Sequence, residues 1–414
     1  MQNNKIKMDG KTGRIEEERK RVRIFDTTLR DGEQDARSRP TRQDKIRAAR
    51  VIDRLGIDVI EAGCLAQGCS AEEKEAVREI AKMKREGEIH AEVCALARAK
   101  TEDIDAVIDS GARYVHIYMG TSSIHLRSKF KGKTQQNAVH MSVEAVSYAK
   151  SRGMKVLFSA EDATRTEVTF LKTIYTAVVR EGANEINIPD TLGSTDGEGI
   201  DPSGMRHIVS EVRSAIGLNI PVHVHCHDDR GLATANTLAA IKAGADCAQV
   251  TVCGIGERTG NASLEQIVAS LHFHANYKGY VTGVETRQLT SVANEIAALF
   301  RFEVPENAPI IGRNAFAHKA GVHEDAVEKD PNNYEWIDPE WVGNRRRIII
   351  SRMASSRSIA RIIESRGVKV SKEEFEQVME KVRGLNGNVM DDAELCEIAV
   401  HMNGTYKVAD MESV

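Results

Sequence analysis

The clearest chemical signal in the sequence is a pair of histidines two residues apart. His225 and His227 stand in the run VHVHCHDD, a predicted β-strand in which residues i and i+2 point to one face. Two imidazoles together with a carboxylate leave open positions on a divalent cation, where a substrate can bind. The alternative is that the two imidazoles only form hydrogen bonds, with backbone groups or with Asp228 and Asp229. His223, one pleat deeper, is predicted to be a core histidine.

A carboxylate that could complete this site follows the first predicted strand. In the run FDTTLRDGEQ, residues 25–34, Asp31 lies just past the strand end. Arg30 beside it can donate several N–H groups in a fixed fork to a carbonyl or carboxylate. Asp26 lies within the strand, so we predict a buried hydrogen-bonding partner. The alternative is that RDGEQ forms only a turn that contains Gly32.

Polar residues also stand at the ends of other predicted strands. In FSAED, residues 158–162, alternation puts Ser159 and Glu161 on one face, unless both are solvated loop residues. The run GIGERTGN, residues 254–261, differs from a dinucleotide-binding motif because its last gap is three residues and no βαβ unit opens with it. Backbone N–H groups of such a glycine turn could still hold a phosphate or a carboxylate.

The elements that position these residues alternate along the chain from about residue 21. Short apolar, β-rich runs are separated by stretches with apolar residues at i, i+3, i+4 and i+7, which indicate amphipathic helices. The eight β-rich runs span residues 21–30, 58–63, 90–97, 114–120, 155–163, 185–193, 222–229 and 247–256. Several helical stretches end in a glycine directly before the next strand, as a C-capping glycine does. These glycines are Gly56, Gly153, Gly182 and Gly244.

Eight β-then-α units in about 255 residues predict the α/β class and a (β/α)8 TIM barrel. A doubly wound open sheet is the competing α/β fold, but the polar residues collect at the carboxyl ends of the strands all the way round. After about residue 285 the alternation stops, and amphipathic helices are predicted at 287–303, at 355–366 and twice in the last 50 residues. We therefore predict a polar N-terminal tail (1–21), a catalytic barrel (22–285) and a smaller, mostly helical C-terminal region (286–414).

Composition excludes several classes of protein. The 414 residues include 57 Lys and Arg against 61 Asp and Glu, too even a balance for a nucleic-acid-binding surface. Neither an 18-residue apolar run nor an apolar N-terminal segment is present, which argues against membrane insertion and secretion. The seven cysteines form no C-x-x-C pair, and most stand in apolar runs, so we predict reduced, buried thiols. We predict a cytoplasmic enzyme with neither nucleic acid nor membrane as a partner.

Taken together, six motifs resemble the 2-isopropylmalate, homocitrate and citramalate synthase family of acyl-CoA-dependent Claisen-condensing enzymes. In chain order they are DTTLRDGEQ, FSAEDATR, NIPDTLG, HCHDDRGLATAN, GIGERTGNASLE and NAFAHKAGVHEDA, and the resemblance covers about residues 22–405. It implies an acetyl-CoA:2-oxo acid C-acetyltransferase in which condensation is followed by hydrolysis of the thioester. It also implies a homodimer in which small helical subdomains complete the active site of the neighbouring subunit.

The resemblance assigns roles to individual residues. It implies that a divalent cation (zinc, manganese, magnesium or cobalt) is held by Asp31, His225 and His227, with Asn261 in or near the ligand shell. The residues predicted to bind the 2-oxo acid are Arg30, Leu96, His116, Ser159 and Thr191. The residues predicted to be catalytic are Arg30, Glu161, His323 and Tyr334. Of these, His323 and Tyr334 match the positions that perform acid/base chemistry on acetyl-CoA.

The identity of the 2-oxo acid is predicted from a position in the fifth strand. Homocitrate synthases of the lysine-pathway type place an arginine two residues before the serine of this strand, where Leu157 stands here. Together with Leu96, this leucine favours the branched acceptor 2-oxoisovalerate and thus a 2-isopropylmalate synthase. The alternatives are a homocitrate synthase, with Arg37, Arg39 or Arg127 binding 2-oxoglutarate, and a citramalate synthase acting on pyruvate. A carbon–carbon lyase of the hydroxymethylglutaryl-CoA lyase type is the alternative from another class.

Overall fold

The computed structural model of the chain describes residues 7–8, 15–16, 19–194, 203–319, 323, 326–327 and 329–403. Two compact units are present, Met1–Val304 and Pro305–Val414. Most of the N-terminal tail expected at residues 1–21 lies outside the described residues. From its last part, Lys20–Arg21 pairs in parallel with Tyr280–Val281.

Eight parallel strands of the first unit close into a barrel in which each strand pairs with the next along the chain. They are β1 (Arg23–Asp26), β2 (Val59–Cys64), β3 (Glu92–Arg98), β4 (Tyr114–Gly120), β5 (Lys155–Glu161), β6 (Glu185–Asp190), β7 (Val222–Cys226) and β8 (Cys247–Val250). Pairing of β8 with β1 closes the ring and confirms the predicted barrel over an open sheet. Because parallel strands all end on the same rim, the residues that follow them share one mouth.

Helices alternate with the strands of the barrel. They are α1 (Arg42–Asp53), α2 (Ala71–Glu86), α3 (Thr101–Ser110), α4 (Ser123–Ser128), α5 (Gln135–Ser151), α6 (Val168–Arg180), α7 (Ser203–Ile216), α8 (Ala233–Lys242), α9 (Leu264–Phe273) and α10 (Leu289–Phe300). The four predicted C-capping glycines all have positive φ. At Gly56 a Cβ atom would also lie 2.7 Å from the carbonyl oxygen of Gly283. Among the described residues, no helix combines the length and the apolar character needed to cross a bilayer.

The seven cysteines are free thiols, but only four of them are buried as predicted, and Cys64, Cys69 and Cys253 are half-buried. Cys94 and Cys247 are buried within the barrel, where burial raises the pKa of each thiol well above its usual value. Such protonated, inaccessible thiols act as small apolar side chains.

An apolar layer fills the barrel below its mouth. Its members are Phe25, Val59, Cys94, Tyr114, Leu157 and Cys247. Leu157 has no exposed surface and lies two residues before Ser159 on the inner face of β5. The leucine is therefore part of the core beneath the mouth, and the expectation that it shapes the acceptor pocket is wrong.

A buried carboxylate organises the amino-terminal end of the barrel. Glu185 accepts hydrogen bonds from the hydroxyl of Tyr114 at 2.6 Å and from Nη1 of Arg23 at 2.9 Å. It also contacts Nε2 of His223 at 2.5 Å, so His223 is a core histidine, as predicted. Burial raises the pKa of Glu185, but the contacts with His223 and Arg23 outweigh burial and hold that pKa well below its usual range.

The second unit combines helices with a small sheet. Among the described residues its longer helices are α11 (Ser356–Ser365), α12 (Lys372–Arg383) and α13 (Asp392–Asn403), in the predicted places. Its strands are β9 (Ala317–His318), β10 (Arg347–Ser351) and β11 (Val389–Asp391), with β10 in the centre. The sequence did not predict this sheet, because its strands have two, five and three residues and show no sustained alternation.

Truncation of Leu157 tests its place in the core. We expect Leu157→Ala to lower the free energy of unfolding by about 2–5 kcal/mol, because it opens a cavity in the barrel. Leu218→Ala removes the same atoms from a side chain that is 66% exposed, and should change that free energy by less than about 0.5 kcal/mol. Urea denaturation followed by circular dichroism measures both, and equal effects would contradict the assignment of Leu157 to the core.

Candidate active site

The carboxyl ends of the barrel strands surround a cavity of about 310 Å³. It is lined by Arg30, Asp31, Gln34, Cys64, Leu96, His116, Tyr118, Ser159, Glu161, Asn187, Pro189, Thr191, His225, His227, Gln249, Glu257 and Arg258. The lining contains all of the site residues predicted within the barrel except Asn261. That residue donates from Nδ2 to Oδ1 of Asp31 at 2.8 Å and so borders the cavity.

Strand alternation and one turn position the residues around the expected metal. His225 lies on β7 and His227 directly after it, and both side chains face the barrel interior. Asp31 follows β1 in a turn in which the N–H groups of Arg30 and Asp31 donate to the carbonyl of Thr27. Asp26, predicted to be a buried hydrogen-bonding partner, accepts from the N–H and the hydroxyl of Thr28, and burial raises its pKa to about 7.

Three potential ligand groups converge at this point. Nε2 of His225 and Nε2 of His227 are 3.2 Å apart, and Oδ2 of Asp31 lies 3.7 and 3.8 Å from them. All three side chains are buried. Within the described part of the chain, no other group of three His, Cys, Asp or Glu residues has this arrangement.

The surroundings of this group fit a divalent cation. Nδ1 of His227 donates to the carbonyl of Gly260 at 3.2 Å, which turns the lone pair of Nε2 toward the cluster. Oδ1 of Asn261 is buried without a hydrogen-bond partner, as expected of an amide oxygen that has a cation as neighbour. At Gly256 a Cβ atom would lie 2.6 Å from Oδ1 of Asp31, so the absence of a side chain there keeps the carboxylate in place.

Electrostatics favour the metal-binding protonation states. Burial lowers the pKa of His225 to about 3, so its imidazole is neutral at neutral pH. Burial raises the pKa of Asp31, but the charges of Arg30, His225 and His227 outweigh it and hold that pKa well below its usual range. A neutral imidazole and an ionised carboxylate are the forms that bind a metal ion without first releasing a proton.

Glu61 of β2 links the group formed by Asp31, His225 and His227 to the other residues at the floor of the cavity. This carboxylate has no exposed surface and accepts hydrogen bonds from Nε of Arg30 at 2.6 Å and from the hydroxyl of Thr27 at 2.5 Å. Its third contact is Nδ1 of His116 at 2.6 Å. Burial raises the pKa of Glu61, but the charge of Arg30 and the contact with His116 prevail and lower it to about 2.

The hydrogen-bond chain continues from His116 to Ser159. Because an ionised Glu61 can only accept, Nδ1 of His116 is a donor. Nε2 of the same ring lies 2.6 Å from the hydroxyl oxygen of Ser159. Ser159 also accepts from Nδ2 of Asn187 at 2.8 Å. The hydroxyl is thus held in one orientation at the floor of the cavity.

Ion pairs form the rim of the cavity. Glu161 accepts from Nζ of Lys129 at 2.6 and 2.7 Å. Arg258 donates to both carboxylate oxygens of Asp229, at 2.7 and 2.8 Å. The hydroxyl of Thr191 accepts from the backbone N–H of Asp162, at 2.9 Å, so the protein already engages one lone pair of that oxygen.

Sequence reasoning missed three polar residues of the floor, Glu61, Asn187 and Gln249. Asn187 and Gln249 line the cavity, and Glu61 lies behind it in contact with Arg30 and His116. All three are fully or almost fully buried. Both amide atoms of Gln249 and the amide oxygen of Asn187 lack a hydrogen-bond partner. The signal that could have identified them is a single polar residue inside an apolar strand, because such a residue must point into the barrel or remain unsatisfied.

The two remaining predicted residues belong to the second unit. The rings of His323 and Tyr334 lie with their centroids 4.1 Å apart and tilted by 38°. Both residues are exposed, and Tyr334 exposes 49% of its surface. Next to them in sequence, Glu335 accepts from Nε of Arg346 at 2.7 Å, which anchors this loop to β10.

Comparison with known proteins finds two family matches. Residues 21–296 match the HMGL-like family, and residues 310–389 match the family described as homocitrate synthase post-HMGL domain-like. In solved structures, the barrel is similar to a hydroxymethylglutaryl-CoA lyase of Bacillus subtilis, with a TM-score of 0.59 and 21% identity over 72% of this chain and 97% of that one. At this level of identity the similarity extends to the fold alone.

Curated relatives are closer in sequence. A probable 2-isopropylmalate synthase of Methanopyrus kandleri is 44% identical over 88% of this chain and 70% of its own length. The (R)-citramalate synthase of Methanocaldococcus jannaschii is 40% identical over 92% of this chain and 75% of its own length. The 2-isopropylmalate synthase of the same organism is 39% identical over 88% of this chain and 68% of its own length.

Metal binding provides a direct test of the cluster. We expect the purified protein to contain a divalent cation. The His227→Ala protein should lose this cation, because the substitution leaves only one imidazole and one carboxylate of the three ligands. His140→Ala changes a surface histidine on α5 and should retain the wild-type metal content. Elemental analysis after dialysis measures both. A His227→Ala protein with wild-type metal content would exclude this cluster as the metal site.

Proposed function

We propose that this chain, which belongs to the HMGL-like family, condenses acetyl-CoA with a 2-oxo acid, and that the acceptor is 2-oxoisovalerate. The product is then 2-isopropylmalate, released after hydrolysis of the thioester. The observation that carries the proposal is the convergence of Asp31, His225 and His227 beside Arg30 at the mouth of the barrel. Relatives named 2-isopropylmalate synthase and citramalate synthase, at 37–44% identity, support the reaction class.

The floor residues suit the binding and activation of a 2-oxo acid. A divalent cation held by Asp31, His225 and His227 would supply Lewis-acid polarisation of the reacting carbonyl. Arg30 engages Glu61 through Nε and Asp31 through Nη1, so Nη2 remains available for a substrate oxygen. A fixed guanidinium stabilises negative charge that develops on that oxygen during attack, and it does so without reorganising.

The acetyl group needs a base, because the methyl protons of a thioester are weakly acidic. We propose that His323 and Tyr334 perform this acid/base chemistry and that Glu161 contributes a carboxylate near the acceptor. The direct contact between the two rings supports a joint role. The match of residues 310–389 to the homocitrate synthase post-HMGL domain-like family supports placing catalytic groups in this region.

The charge balance of the cavity supports an acceptor without a distal carboxylate. Both arginines in its lining are already paired, Arg30 with Asp31 and Arg258 with Asp229. A second buried carboxylate would compete with Asp31 or Asp229 for these guanidinium groups, which is costly. Arg37, Arg39 and Arg127, the sequence-based candidates for binding 2-oxoglutarate, do not line the cavity.

The apolar part of the lining supports a branched acceptor. Leu96, Tyr118 and Pro189 contribute to it. An isopropyl group buries two more carbon atoms than the methyl group of pyruvate, at about 0.8 kcal/mol each. Pyruvate is the second candidate because the chain is 40% identical to a protein named (R)-citramalate synthase.

A panel of acceptors tests the proposal. We expect kcat/KM for 2-oxoisovalerate to exceed kcat/KM for pyruvate by about tenfold, because two further carbon atoms are buried. The value for 2-oxoisovalerate should exceed the value for 2-oxoglutarate by a larger factor. The assay measures the rate at which free CoA thiol is released from acetyl-CoA in the presence of each 2-oxo acid. The rate of release without a 2-oxo acid is subtracted as background. Leu96→Ala is the matched variant, and should reduce the preference for 2-oxoisovalerate over pyruvate. A tenfold lead of 2-oxoglutarate would identify a homocitrate synthase instead.

Subunit mixing tests the role of His323. We propose a homodimer in which His323 and Tyr334 serve the neighbouring subunit's site, so Asp31→Ala and His323→Ala should each be inactive alone. After subunit exchange the mixture should recover up to about a quarter of the wild-type activity, because half of the dimers then carry one intact site. A mixture of Asp31→Ala with His227→Ala is the control and should stay inactive. Verified exchange without recovery would rule out a shared site.

A further inference from the structure

We propose that a basic loop on the barrel rim, residues 127–133, binds the phosphate groups of acetyl-CoA. The inference rests on the proposed condensing function, which makes a CoA thioester the second substrate. The loop has the sequence RSKFKGK, with four cations among seven residues. We call it the basic rim loop.

The basic rim loop borders the candidate active site. It begins within α4, which follows β4 at the carboxyl end of the barrel. Phe130 packs over the last residue of β4, since a Cβ atom on Gly120 would lie 2.7 Å from the phenylalanine ring. Lys129 contacts Glu161 of the cavity lining at 2.6 Å and lies 5.4 Å from the ring centroid of Tyr118, another lining residue. The loop is therefore anchored at the edge of the cavity.

Three of the four positive charges on the basic rim loop have no carboxylate partner among the described residues, and the fourth, Lys129, contacts Glu161. Arg127, Lys131 and Lys133 are exposed, and none of them makes an ion pair within the described residues. Residues 121–134 contain no aspartate or glutamate. Four other arginines near the carboxyl ends of the strands do face a carboxylate, in the pairs Arg37–Asp35, Arg98–Asp103, Arg165–Asp162 and Arg258–Asp229. A chain of formal net charge −4 thus presents an uncompensated cluster of cations beside its cavity.

Acetyl-CoA has the complementary chemistry. Its adenosine end carries a 3′-phosphate and a diphosphate, and a phosphomonoester alone has a charge of about −1.5 to −2 at pH 7. Lysines bind phosphates as flexible point charges. The acetyl group must enter the cavity to react, while highly hydrated phosphates remain at the surface. A cationic loop at the rim satisfies both requirements and attracts the substrate over long range.

Removal of the phosphates from the substrate isolates their contribution. S-acetylpantetheine keeps the reactive thioester but lacks every phosphate, so we compare it with acetyl-CoA on the variant Arg127→Gln/Lys131→Gln/Lys133→Gln. Lys129 is left intact because it contacts Glu161. The ratio of kcat/KM for acetyl-CoA to that for S-acetylpantetheine should fall at least tenfold relative to wild type. The KM for acetyl-CoA should also rise with ionic strength in the wild type but not in the variant.

Matched controls separate this effect from a general loss of charge. Arg47→Gln/Lys82→Gln/Arg180→Gln neutralises three exposed cations on α1, α2 and α6 and should leave the ratio unchanged. Calorimetric titration with CoA measures binding without turnover, and the rim-loop variant should bind at least tenfold more weakly. An unchanged ratio, or equal CoA affinity in wild type and variant, would overturn the inference. If CoA binding depends on the loop but the wild-type protein is inactive with every 2-oxo acid, the phosphate-binding role of the loop is supported and the condensing function is refuted.

Discussion

A buried, ionised carboxylate, Glu61, is the constraint on which the active site depends. An unpaired charge at this depth would be prohibitively unstable, so the carboxylate requires the donors that surround it. Those donors are Thr27 and Arg30 from the turn after β1 and His116 from β4. Arg30 in turn contacts Asp31, so one carboxylate sets the positions of the guanidinium and the imidazole and, through Arg30, of the group formed by Asp31, His225 and His227.

The apolar layer beneath the floor makes this arrangement rigid. The ring of Phe25 meets those of His116 and His223 edge to face, with centroids 6.1 and 5.6 Å apart. One aromatic side chain thereby separates the charges around Glu61 at the mouth from those around Glu185 at the opposite end. Because close-packed interiors do not yield to small displacements, the polar groups of the floor are held in place before a substrate arrives.

The candidate residues of the two units differ in structural character. The barrel residues are buried and mostly hydrogen-bonded, whereas His323 and Tyr334 of the second unit are exposed. Exposed side chains can change partners at little cost, and buried networks cannot. The proposed function follows this contrast, because it assigns the 2-oxo acid to the barrel and the acetyl thioester to His323 and Tyr334.

Local sequence patterns determined the eight strands, the glycines that end their helices and the pairing of His225 with His227, because strand periodicity and capping act over a few residues. The position of Asp31 just past a strand end made it a candidate as well, and the family motifs added Asn261. Only the tertiary structure decided which inward residues reach the cavity. Leu157 and Ser159 share one face of β5, yet the barrel buries the first in its core and brings the second to the floor. Depth within a closed barrel depends on the stagger of all eight strands together, and no single strand encodes it.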